Sequence, residues 1–237
     1  MPVESHEPEI VRWRAWPCDQ CTGGATIFDF IVGRHEASGT LPGGSEDEII
    51  EQMTAREREW LLEWVGLCSH TTEHESVLPK LDEGSEHIVY LAPDDEHVLK
   101  VTKLGLYGDE YYLHDGRVHQ RRATPGNYLL RLELLRRHFG FAPIPVAVTS
   151  HGQIFSRQKF VKGEPPTQEE VDDFLYGEGL DPVKRSCWLW KKADLEAKVE
   201  FWIGDARADN FVKTPQGLIP IDLRMWGVVI PDESSDI

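Results

Sequence analysis

Between residues 78 and 176, alternating β-rich runs and capped helical runs follow one another in an order that few folds accommodate. Runs 85–91 and 97–103 are rich in β-branched residues and are joined by Ala92-Pro93-Asp94-Asp95-Glu96, which predicts a hairpin. Thr124-Pro125 supplies a helix cap with Pro at the first helical position. The helix extends to about residue 139, with Leu129, Leu132 and Leu135 spaced for burial. Runs 144–149 and 153–161 flank Ser150-His151-Gly152 as a second hairpin, and Thr167-Gln168-Glu169-Glu170 is a capping box opening a helix to about Tyr176. The expected order is strand, strand, helix, strand, strand, connector, helix, hence an α+β fold built on an antiparallel sheet.

Residues 1–77 read as an N-terminal extension. Its first 45 residues are rich in Gly and Pro, and residues 38–44 predict a loop or linker. Ser45-Glu46-Asp47-Glu48 is a second capping box, opening a helix to about Leu67 with Ile50, Met53, Leu61, Trp64 and Val65 as its buried stripe. Residues 78–237 form the main domain, divided near residue 162. No internal repeat is present.

Composition narrows the function classes. With 40% hydrophobic and 28% charged residues the chain is an ordinary globular one. A formal charge of −16 argues against wrapping a nucleic-acid backbone, which needs cations to replace counterions, and fits solubility and self-repulsion. The N-terminus lacks the basic and apolar regions of a signal peptide, no run approaches the ~20 apolar residues of a membrane span, and four Cys are too few for a disulfide scaffold, so a cytoplasmic setting is expected. Cys18-Asp19-Gln20-Cys21 has zinc-ligand spacing, which Cys68 and His70 would complete; free or packed thiols are the alternative. Arg117, Arg121, Arg122, Arg131, Arg136 and Arg137 oppose one acid, Glu133, and read either as a solvated face or as a surface for an anionic partner.

The chemistry concentrates near the end. Asp205 is followed five residues later by Asn210 (210 − 205) and, twelve further on, by Asp222 (222 − 210). Phosphoryl transfer needs phosphate charge neutralised, a metal placed and a carboxylate to orient the attacking hydroxyl. Asp205 suits the last role, Asn210 and Asp222 offer hard oxygen ligands for Mg²⁺, and Arg207 lies near enough in sequence to reach the transferring phosphate. The plain alternative is that these residues cap a loop and a strand end. Lys100, within the alternating strand Val98-Leu99-Lys100-Val101, is the expected phosphate anchor, with Lys103 as a rival at the strand's end; an edge-strand Lys is the alternative. Glu133 is the expected partner of Lys100, or else a solvated helix charge. Gly84 and Val89 form a thin nucleotide roof, and Gln158, Phe160 and Val161 occupy a hinge that would bond the base; both segments also read as plain strand and turn.

These residues resemble the kinase domain found in polyvalent proteins of phages and conjugative elements. The matching features are Gly84 to Tyr90, Val98 to Thr102, Tyr128 to Leu132, Gln158 to Gly163 with Pro166-Thr167, and Asp205 to Asn210 with Pro220-Ile221-Asp222. They cover about residues 78–224. The resemblance implies a compact protein-kinase-like fold with an antiparallel-sheet small lobe, a truncated large lobe, ATP and Mg²⁺ as cofactors, and Ser/Thr/Tyr kinase activity on an unidentified acceptor. Departures from the pattern favour a second reading, a pseudokinase that binds nucleotide or acts as a scaffold. Asn127 stands where the family carries an acid, Asp222-Leu223-Arg224 replaces Asp-Phe-Gly, and 15 residues follow Asp222 (237 − 222), too few for a long activation segment.

Overall fold

A computed structural model describes residues 9–15, 27–38, 43–67, 73–114, 117–184, 188–194 and 198–229. They form a mixed α+β protein with antiparallel sheets and divide into two compact units. The first takes the described residues within Met1–Gly108, Arg122–Leu130 and Pro143–Phe160, and the second those within Asp109–Arg121, Arg131–Ala142 and Val161–Ile237.

The first unit carries β1 (Glu9–Ala15), α1 (Ile27–Ser38), α2 (Glu46–Leu67), β2 (Glu73–Leu78), β3 (Lys80–Glu83), β4 (His87–Leu91) and β5 (His97–Thr102). The second unit's pair β6 (Asp109–His114) and β7 (Arg117–Arg122) intervenes before α3 (Pro125–Phe139), which begins in the first unit and ends in the second. β8 (Ile144–Val148) and β9 (Ile154–Lys159) complete the first unit's sheet, ordered β2-β1-β8-β9-β5-β4-β3. Its ladders are antiparallel throughout. Along β5, Leu99 and Val101 join Leu78, Tyr90, Ala147 and Phe155 in one apolar cluster, so period-two alternation sends Lys100 and Thr102 to the opposite face.

The two expected hairpins and the starts of α2 and α3 are as the sequence implies. Ser45 and Glu48 make the capping box, with the Ser45 N–H donating to Glu48 Oε2 at 2.8 Å. Ile50, Leu61, Trp64 and Val65 are buried. Glu57, 1% exposed, accepts from His35 Nε2 at 2.7 Å and from the Gly126 N–H at 2.6 Å, tying α1 and α2 to the first turn of α3.

The N-terminal segment differs from expectation. The stretch read as loop-rich contains β1 and α1, and the division at 77/78 falls inside β2. β1 bonds both β2 and β8, because a strand with ladder partners on each side satisfies its backbone within the sheet. Cys18, Cys21, Cys68 and His70 lie outside the described residues. Among the described residues no helix is long and apolar enough to cross a membrane.

Tyr107 closes the first unit's core. It is 1% exposed and its hydroxyl donates to the Gly152 carbonyl at 2.8 Å. Burial, against the pull of Arg58, pushes its titration up to about 12. Between the ordinary tyrosine value near 10 and that raised value the unfolded chain loses its proton first, so stability falls as pH rises. Alkaline urea titrations should show the wild type losing roughly 2–3 kcal/mol through this group, a slope that Tyr107→Phe removes. Identical slopes in the two proteins would refute the assignment.

The second unit holds α4 (Gln168–Gly177), β10 (Asp181–Lys184), β11 (Leu189–Asp194), β12 (Val199–Gly204), β13 (Phe211–Thr214), β14 (Gly217–Pro220) and β15 (Arg224–Val229). β10-β11-β12-β15 form an antiparallel sheet and β13-β14 a hairpin. One sheet face, with Trp190, Ile203 and Met225 side by side, buries against Val171 and Leu175 of α4, Leu180, Phe211, Leu223 and Leu135. On the other, Trp202 and Trp226 pair across strands and Tyr111 of β6 stacks on Trp226 at 4.6 Å.

Candidate active site

The second unit presents residues 204–210 as a tightly bonded loop. Gly204 ends β12 under the aromatic stack: a Cβ there would stand 3.2 Å from Tyr111 Cε2 and 3.3 Å from Trp226 Cζ3. Asp205 follows with φ 58°, a left-handed conformation that Asp tolerates better than most side chains. Ala206 is fully buried in the apolar core, and its N–H donates to the Trp188 carbonyl at 3.2 Å. The Asp205 carbonyl accepts from the Arg207 N–H at 2.8 Å and from Asn210 Nδ2 at 2.6 Å. A single 3-10 turn, Ala208–Asn210, then leads into β13.

Asn210 and Asp222 are joined through the backbone. Phe211 pairs with Pro220 in the β13–β14 ladder, and the Ile221 N–H donates to the Asn210 carbonyl at 2.8 Å, extending the ladder by one bond. Asp222 is the next residue, exposed in the bend before β15. Asn210 is 7% exposed, and since its amide nitrogen is committed to the Asp205 carbonyl, Oδ1 is the acceptor turned away from it. Among the described residues no three His, Cys, Asp or Glu side chains converge as a metal cage. Asn210 and Asp222 would offer one amide oxygen and one carboxylate, the hard-oxygen donor types that Mg²⁺ takes alongside waters and substrate oxygens.

The Asp205 carboxylate accepts from Arg207 Nε at 2.8 Å, and Arg207 Nη2 lies 3.4 Å from Asp209 Oδ2. Arg207 is thus held by acids of its own loop, and its side chain is half-exposed. Arg224, two residues past Asp222, donates to Asp109 of β6 at 3.1 Å.

A residue without a sequence signal organises this loop. Gln168, the first residue of α4, donates through Nε2 to the Ala206 carbonyl and accepts at Oε1 from the Ala208 N–H, each at 3.0 Å. The Thr167–Glu170 capping box fixes the helix start beneath it.

In the first unit Lys100 is 7% exposed and stands in register with Val89 on one side and Ser156 on the other. On that face His87 Nε2 meets the Tyr128 hydroxyl at 3.0 Å, Tyr128 meets Ser156 Oγ at 3.3 Å, and Ser156 Oγ donates to the Lys100 carbonyl at 3.4 Å. Lys103, the rival cation, pairs with Glu83 at 2.6 Å. Gln158 is buried opposite Val98, Val89 is half-buried, and Phe160 is exposed with its N–H donating to the Glu96 carbonyl at 2.7 Å. A side chain at Gly84 would meet nothing within 4 Å, so that turn carries no steric demand for glycine. Val161 is half-buried and belongs to the second unit.

Glu133, expected either as the partner of Lys100 or as a helix charge, is engaged by its own helix. Arg136 donates to both of its oxygens, at 2.9 and 2.7 Å, and Arg137 to one at 2.6 Å. Arg136, then Arg137, holds its carboxyl below the usual range. Local pairs one helical turn apart cost little ordering, which explains why the acid closes on its own helix. Elsewhere in the basic run Arg121 pairs with Glu110 and lies over the Tyr112 ring, and Arg131 is buried.

Comparison with family models, with curated proteins and with solved structures gives no match to this chain.

Proposed function

We propose that the chain is an ATP- and Mg²⁺-dependent phosphotransferase with a protein-kinase-like fold, akin to the kinase domain of polyvalent proteins. The observation that carries this reading is the backbone bond from Ile221 to Asn210, which joins the Asp205–Asn210 loop to the segment bearing Asp222. Hairpin β4–β5, helix α3, hairpin β8–β9 and helix α4 precede that loop in the order the sequence implied, with the pair β6–β7 interposed before α3 and β10–β12 after α4. In this reading Asp205 orients the acceptor hydroxyl and takes its proton as the acceptor's bond to the γ-phosphorus forms and the bond from that phosphorus to the bridging oxygen of ATP breaks, releasing ADP. Arg207 steadies that carboxylate and offers its exposed part to the phosphate. Asn210 Oδ1 and Asp222 would hold Mg²⁺, which supplies positive charge to phosphate oxygens when bound. Within the first unit, Lys100 is the cation suited to nucleotide phosphates, with Val89 and Gln158 in the same sheet.

A pseudokinase is the second reading, favoured by the engagement of Glu133 with Arg136 and Arg137 and by the open turn at Gly84. Incubation with γ-labelled ATP and Mg²⁺ separates the two. Transfer is expected from the wild type and is expected to fall about 100-fold or more in Asp222→Ala, the range for losing one group that stabilises transferring charge. No transfer, or equal transfer in both, overturns the first reading. A melting shift by ATP that requires Mg²⁺, without turnover, would establish the second.

A further inference from the structure

We infer that Gln168 is a positioning residue, the long-range clamp that holds the 205–210 loop in its working geometry. Its catalytic consequence rests on the phosphotransferase reading, but the clamp itself does not.

Most bonds that shape the loop are local. Arg207 N–H and Asn210 Nδ2 serve the Asp205 carbonyl, and the Asn210 N–H donates to the Arg207 carbonyl. Such bonds fix a turn's shape but not its placement. Placement comes from the flanking strands, from Ala206 in the core, and from hydrogen bonds with the Trp188 carbonyl, Ile221 and Gln168. Of these hydrogen-bond partners only Gln168 contributes a side chain, and it bonds the peptide groups at 206 and 208 that straddle Arg207.

The orientation of its amide follows from chemistry. A backbone N–H can only donate, so Oε1 must face Ala208; a carbonyl can only accept, so Nε2 must face Ala206. Nε2 also donates to Asp172 Oδ1 at 3.0 Å, one turn along α4, so an acceptor on the helix holds the amide in that sense. The capping box at Thr167 satisfies the helix start through Glu170, which leaves Gln168 to serve the loop. The clamp also holds a backbone with a left-handed non-glycine residue, Asp205, a conformation that persists only where surrounding bonds over-determine it.

The test replaces Gln168 in the full chain with Met, which keeps its length and loses both bonds. The readouts are melting temperature, amide exchange at Ala208 and turnover of γ-labelled ATP. Gln168→Met is expected to melt within a few degrees of the wild type, to exchange the Ala208 amide about tenfold faster or more, and to lose about 10- to 100-fold in kcat with KM for ATP unchanged. Unaltered Ala208 exchange overturns the clamp, as does unaltered kcat in an active enzyme. Should the wild type transfer no label, the phosphotransferase reading fails on its own, and Ala208 exchange alone still decides the clamp. Should Gln168→Met not fold, Gln168→Asn, one methylene too short to span to the loop, carries the same expectation and the same refutation.

Discussion

Asp205→Asn is expected to fold as the wild type does and to lose about 10²–10⁴-fold in phosphoryl transfer, the range a positioned general base supplies. Few positions offer so clean a separation of charge from structure. Asn matches Asp in shape and tolerates the left-handed backbone found there, φ 58°, where a branched residue would strain. Its side-chain oxygen can still accept from Arg207 Nε, and the bonds from Arg207 and Asn210 to residue 205 go to the backbone carbonyl, which the substitution leaves alone. What disappears is the negative charge and the capacity to take a proton. Single-turnover label transfer measured beside a melting curve distinguishes the cases. Turnover within tenfold of wild type would remove Asp205 from its role, and a collapse of the melting curve would show that the charge is structural.

The largest effect on stability is expected at Gly163. A Cβ built there stands 2.2 Å from the Lys213 carbonyl oxygen and 2.6 Å from Val212 Cγ1. The obstacle is backbone, so no rotamer change relieves it. Glu164 and Lys213 exchange both of their backbone bonds across this contact, at 3.0 and 2.8 Å, and Lys213 also pairs with Glu170 of α4. Gly163→Ala must spread the two segments and stretch that bridge, at a cost of about 3 kcal/mol from overpacking and weakened hydrogen bonds. β13 starts directly after Asn210, so the displacement is delivered to the candidate metal ligand. Urea denaturation checks the magnitude, and a change under about 0.5 kcal/mol, the level of an ordinary surface substitution, would mean that the contact is relieved cheaply.

The parts of the fold that were legible in the sequence are those whose signals are local. Ser45 with Glu48, Pro125, and Thr167 with Glu170 mark helix starts because a cap acts within three residues. Hairpins β4–β5 and β8–β9 show because one face is apolar, with Leu99, Val101 and Phe155, while the other carries Lys100, Thr102, Ser156 and Gln158, so the alternation survives although both faces are buried. In β12 both faces meet apolar neighbours, Ile203 in the core and Trp202 against Trp226, so the pattern blurs and the strand escapes notice. In β6 the aromatic Tyr111 finds its partner in Trp226, far along the chain, and nothing nearby announces it. The candidate site follows the same rule. The Asp205–Asn210 spacing is confined to one loop and reads directly, whereas Gln168 acts across 40 residues and leaves no local mark.

The placement of β1 in the interior of the first unit's sheet bears on how the chain reaches its fold. Arg14 lies opposite Val148, 134 residues later (148 − 14), so one edge of β1 has no ladder partner until that intervening stretch has been synthesised. At the usual pace of synthesis that delay is on the order of 10 s. Closing so long a segment comes before any contact rewards it, which places this sheet among slow-forming, high-contact-order topologies. Synthesis from the N-terminus cannot complete this unit in the order in which it is read: its early strand must wait, with backbone groups open, for a hairpin made from the middle of the chain.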